Sequence, residues 1–131
     1  MANRSALQAV QNAVYATLNA DATLANKVFD EPPQEQALPF VVIGDAIEEP
    51  NDTFGRYGKA VTFTVTAWST YAGYKQAQDY HAIALGLLNR ATISVTNYDS
   101  VVIRFQRATA ARDGLRRYVQ AEYLFTLQET S

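Results

Sequence analysis

The most regular stretch of the chain runs from Lys59 to Trp68, where Val61, Phe63, Val65 and Ala67 alternate with Thr62, Thr64, Thr66 and Trp68. Successive side chains of a strand point to opposite faces, so this period of two predicts a strand with one apolar and one threonine face. The same alternation recurs in Val101, Ile103 and Phe105 over 100–108, and in Leu115, Val119, Ala121, Tyr123, Phe125 and Leu127 over 115–127. Asp113-Gly114 between these two runs is a hairpin turn signal. Phe40-Val-Val-Ile43, bounded by Pro39 and Gly44, reads as a strand buried on both faces and continuing toward Ile47. Thr92 to Val95 is a further short strand candidate.

Two segments follow the helical period instead. Leu7, Val10, Val14 and Leu18 fall on one stripe, and Ser5-Ala-Leu-Gln8 ahead of them has the form of a capping box, which predicts a helix over 5–19. Asp21 is placed to cap a short second turn through Leu24 and Ala25. The second helix opens at Gly73 and runs to about Asn89 on the stripe Ala77, Tyr80, Ile83, Ala84, Leu87 and Leu88. Pro32, Pro33 and Pro39 forbid helix between the first helix and the first strand, so 26–38 reads as a connector. Pro50, Asn51, Asp52, Gly55 and Gly58 make 48–58 a long irregular loop. The resulting order is α-β-β-α-β-β. It predicts one α+β domain over 1–131, a mainly antiparallel sheet of four to five strands with both helices on one face. Such a sheet has two edges for a partner to cover.

Composition removes whole classes of chemistry. The 131 residues include no cysteine and a single histidine, which excludes thiol catalysis, disulfides and any site needing two imidazoles. No apolar run approaches the roughly 20 residues of a membrane helix, and the first residues lack the pattern of a secretion signal, so neither membrane insertion nor classical secretion is expected. The net charge of −2 disfavours general nucleic-acid binding. That charge is unevenly distributed. Residues 1–55 carry two basic and eight acidic side chains, a net −6, whereas 56–131 carry nine basic and five acidic, a net +4.

The remaining candidates for chemistry have simpler readings. His81 and Asp79 lie two apart on a helix, about 200° around its axis, and cannot act as a base and its orienting carboxylate. Ser69, Ser94 and Ser100 sit in no nucleophile elbow. The acids Asp45, Glu48, Glu49 and Asp52 lack the spacing of a calcium loop, and Gly44, Gly55 and Gly58 precede no phosphate-binding helix start. No catalytic residue, metal or cofactor is expected. Five arginines, Arg104, Arg107, Arg112, Arg116 and Arg117, gather on the final hairpin beside Tyr118. They suit either nucleic acid or, given the acidic first part, the contact of one subunit with another.

Several segments taken together resemble the small tail completion, or tail terminator, proteins of long-tailed phages. They are Val28-Phe-Asp30 followed by Pro32 and Pro33, Leu38-Pro-Phe-Val-Val-Ile-Gly-Asp45, Val65-Thr-Ala-Trp-Ser69, Gly73 at the helix start, and Asp113-Gly114. The resemblance extends over about 18–125. Family members often carry a histidine shortly after the Asp-Gly turn, where this chain has Arg116-Arg117-Tyr118, and the residue after Ala-Leu in the second helix also varies. What the resemblance implies is an α+β protein forming a ring, commonly of six copies, at the head-proximal end of the tail tube. There it stops tube growth and joins the head–tail connector, with DNA passing through the lumen, in a virion neck assembled in the host cytoplasm. Partners would be further copies of the chain, the tail tube protein and the connector protein.

Such a task needs complementary surfaces rather than an active site. The acidic segment with Glu48, Glu49 and Asp52 is the candidate for stacking or lumen contacts, with Phe54 and Tyr57 as anchors. Arg112, Arg116 and Arg117 are the candidates for the opposite partner. Two other classes fit the same residues: another neck or connector ring protein, and a small nucleic-acid-binding module.

Overall fold

The computed structural model describes residues 5–30, 39–52, 55, 57–69, 74–91, 93–114 and 116–129, with Ser100 described by its backbone alone. Helix α1 spans Leu7–Asn19 and buries Val10, Val14 and Leu18, the stripe set by the helical period. Only the serine half of the expected capping box forms, with Ser5 Oγ accepting from Leu7 N at 3.3 Å. Gln8 donates instead to Asn12 Oδ1 at 2.9 Å, and the free N–H of Ala6 goes to a carboxylate oxygen of Glu48 at 2.6 Å. The expected turn after α1 is present: Asp21 Oδ1 accepts from Thr23 N at 2.8 Å and Leu24 N at 3.2 Å, and Leu24 is fully buried.

Among the described residues five strands form one sheet: β1 (Val28–Phe29), β2 (Phe40–Pro50), β3 (Gly58–Ser69), β4 (Tyr98–Asp113) and β5 (Arg116–Glu129), in spatial order β1-β2-β3-β5-β4. The β2–β3, β3–β5 and β4–β5 pairings are antiparallel, but β1 pairs with β2 in parallel, so the sheet is mixed. This corrects the reading of 26–38 as pure connector, since Lys27 O accepts from Val41 N at 2.7 Å and two residues join the sheet. A second correction concerns 48–58. Strand β2 continues through Pro50, with Glu48 opposite Val61 and Pro50 opposite Lys59, so the loop is only 51–57. Asn51 N donates to Gly58 O at 3.0 Å to close it, and a Cβ on Gly58 would collide with the Asn51 carbonyl, which explains the glycine. The candidate strand at 92–95 reduces to an isolated bridge between Val95 and Tyr98.

Helix α2 spans Lys75–Leu88, and both helices pack on the face carrying Val61, Phe63, Val65 and Ala67, as the alternation predicts. Phe63 stacks on Tyr123 at 5.8 Å between ring centroids and meets Phe125 edge-on at 5.0 Å, an aromatic centre shared by the two middle strands. Burying a side chain of this size stabilises by about 1.5–3 kcal/mol. The Asp113-Gly114 signal is also realised: Asp113 pairs with Arg116, and Gly114 turns the chain at φ +63°, a conformation that costs glycine nothing.

Candidate assembly surfaces

The two edges of the sheet carry the charge asymmetry of the sequence. On one side, β1 covers β2 only at Val41 and Val42, leaving the edge beyond them without a strand neighbour among the described residues. Here the register slips between Ile43 and Ala46, a bulge of Gly44 and Asp45 that interrupts the ladder locally before it resumes at Ala46 opposite Phe63. Between this bulge and α1 opens a groove of about 360 Å³. Val10, Ile43, Val61 and Phe63 line it, and Asp30 and Asp45 stand at it with exposed side chains. Glu49 is exposed farther along the same strand.

On the other side lies β4. The turn after α2 seals the middle of its outer edge: Arg90, in the left-handed region at φ +58°, donates its N–H to Ile103 O at 2.9 Å, and Asn89 Oδ1 accepts from Phe105 N at 3.0 Å. Past that seal, Gln106 to Ala110 are all exposed. The hairpin there extends beyond the helical layer. Arg107 makes a two-pronged pair with Glu122, 3.0 and 3.1 Å, which raises the pKa of the guanidinium. Arg104, Arg112 and Arg116 are exposed and have no acidic partner among the described residues.

The predicted interface residues therefore fall into different roles. Glu48 is half-buried and serves the fold, its carboxylate accepting from Ser5 Oγ at 3.0 Å as well as from Ala6 N. Asp52 is exposed but holds the β2–β3 turn by accepting from Gly58 N at 3.0 Å. Tyr57 is 39% exposed, lies 6.0 Å from Lys59 Nζ, and accepts at its carbonyl from Glu129 N. Phe54 lies outside the described residues. Arg117 is half-buried, stacked over the Tyr74 ring at 5.9 Å beside the Trp68–Tyr118 pair at 4.8 Å. The structure puts Glu48 and Glu49 on β2 toward one edge and Arg112 on the edge strand β4 at the other, with Arg116 and Arg117 on the adjoining β5, so the two sets do not meet in one site within the chain. Sequence reasoning did not single out Ile47 and Val102, which are 62% and 45% exposed on the sheet face without helices. Val102 falls out of phase with Val101, Ile103 and Phe105, and Ile47 follows the bulge that resets the β2 register, so no local pattern marks either as facing a partner.

Asp79 pairs with Lys75 at 2.8 Å, and His81 instead faces Phe105, 5.7 Å away, with burial lowering its pKa. Ser69 Oγ donates to Gln76 Oε1. No group of three or more potential metal ligands gathers among the described residues.

Comparison with known proteins adds a family to this geometry. The family model described as tail completion protein gp17 matches residues 9–126. Among solved structures, a chain of the virion of a native gene transfer agent particle superimposes with a TM-score of 0.86 at 24% identity, covering 95% of this chain and 98% of that one. No curated protein sequence matches significantly.

Proposed function

The chain belongs to the tail completion protein gp17 family, and from that membership we propose that it is a structural tail protein of a phage-like virion. In this reading six copies form a ring that caps the head-proximal end of the tail tube and ends its growth. The ring presents a surface to the head–tail connector and leaves a lumen for DNA. The observation that carries it is the placement of opposite charge on opposite edges of one sheet. A closed ring needs a head-to-tail contact between two different patches, and an acidic edge opposite a basic one supplies such a pair. The fold shared with a chain of a gene transfer agent virion is consistent with a place in a particle.

A nucleic-acid module is the weaker reading. Two of the five hairpin arginines are engaged within the chain, Arg107 by Glu122 and Arg117 by the Tyr74 ring. Native mass measurement with and without purified tail tubes tests the proposal. A ring on the tubes is expected, and a chain that stays single on them overturns it. The Arg116→Glu, Arg117→Glu double variant should lose capping. Intact assembly with lost DNA retention would instead mark a nucleic-acid binder.

A further inference from the structure

Resting on the ring reading, we propose that neighbouring copies join by strand addition. The free distal stretch of β4, Arg107 to Arg112, pairs antiparallel with the open edge of β2, Gly44 to Glu49, of the next copy. Three observations carry this. Among the described residues both stretches are sheet edges with no strand beside them: β1 stops at Val42's partner, and the Asn89–Arg90 seal stops at Phe105. Unpaired edges of this kind are templates for another chain.

Strand direction agrees. Along the sheet β2, β3, β5 and β4 alternate in direction, so β4 runs opposite to β2. Rotation about an axis along the strands keeps every direction, and therefore sets β4 of one copy antiparallel to β2 of the next. The contact is heterologous, as ring closure requires.

Side-chain chemistry fixes the register. Ala46 pairs with Phe63 and Ala110 with Val119, so both alanines project from the helix-covered face. With Ala110 opposite Ala46, antiparallel counting sets Arg107 opposite Glu49 and Arg112 opposite Gly44, beside the exposed Asp45. The small side chains of Ala108 and Ala110 then lie along the rim of the apolar groove, where larger ones would meet α1 of the neighbour. Arg107 stays with Glu122 of its own chain, so the pair of opposite charge that adds to such a ladder is Arg112 with Asp45.

The chain has no cysteine, so introduced thiols report without background. Ala46→Cys, Ala108→Cys and Ala110→Cys proteins are mixed pairwise on tail tubes, oxidised and resolved by mass, beside native mass of the unoxidised assembly. Disulfides between the position-46 protein and either hairpin protein are expected, and a chain carrying Ala46→Cys with Ala110→Cys should give a ladder ending at the ring number. Arg112→Glu should lose assembly and Asp45→Arg in the same chain should restore it. A ring that forms with no link from position 46 to the hairpin, or with only 110-to-110 links, overturns strand addition and leaves the ring reading standing. No ring on the tubes with the unaltered chain overturns the ring reading itself.

Discussion

Replacing Glu48 separates a residue of the fold from a residue of an interface. Its carboxylate accepts from Ser5 Oγ and Ala6 N at the first turn of α1, across 43 and 42 residues of sequence, so a strand supplements the local contact in which Ser5 Oγ accepts from Leu7 N at 3.3 Å. Loss of a helix N-terminal acceptor costs about 0.5–2 kcal/mol, and loss of a negative charge at that end about 0.3–1 kcal/mol more. Glu48→Ala is therefore expected to destabilise by about 0.8–3 kcal/mol. Glu48→Gln keeps an acceptor and should cost only the charge contribution, about 0.3–1 kcal/mol. Glu49→Ala, one residue on and exposed, should stay within about 0.5 kcal/mol of the parent. The assay is guanidinium unfolding followed by the fluorescence of Trp68, the single tryptophan, whose ring lies 4.8 Å from Tyr118. Midpoints should move with unchanged slope. If Glu48→Ala and Glu49→Ala unfold at the same midpoint, the cap contributes nothing and Glu48 returns to the surface as an interface candidate.

Phe63→Ala should cost about 3–5 kcal/mol in the same assay, because the ring is 2% exposed between Tyr123 and Phe125, and a loss below about 1 kcal/mol would refute the assigned core face. Tyr123→Phe should be neutral or stabilising by up to about 1 kcal/mol, since the buried hydroxyl has no hydrogen-bond partner among the described residues; destabilisation beyond about 1 kcal/mol would reveal one. Burial lowers the His81 pKa, so the unfolded chain takes up a proton first as acidity rises: stability is full above about pH 6.5 and falls below it. Chemical denaturation of the parent and His81→Gln between about pH 5 and 8 checks this, with a flatter profile expected for the variant.

The parts of the fold legible in the sequence are those written as local periods. Val61 to Ala67 alternates because one face is buried under two helices, and the α1 stripe reads at once for the same reason. What stayed hidden depends on distant partners. β1 is two residues long and exists because Val41 and Val42 offer it an edge, which no local pattern announces. Glu48 to Pro50 carries turn-forming residues yet stays in β2, because β3 pairs with it on one side and the other side is open, where proline is tolerated. Ser5 and Gln8 matched a capping box, but Glu48 reaches the same N–H region with a full charge and Gln8 turns to Asn12. For the candidate surfaces, the separation of charge was legible from composition. Its division between opposite edges required the strand order, in which β5 inserts between β3 and β4.

The seal of Asn89 and Arg90 on β4 bears on life before assembly. A structural protein accumulates as loose copies while its target is still being built, and an open strand of full length would gather those copies into disordered stacks. If copies join by the proposed strand addition, sealing the edge at Ile103 and Phe105 shortens the adhesive stretch to the distal part of the hairpin. Few backbone bonds can then form between two wandering copies, so their encounters reverse. Only where several copies are held in place at once do these short contacts act together, which turns a weak edge into a device for timing.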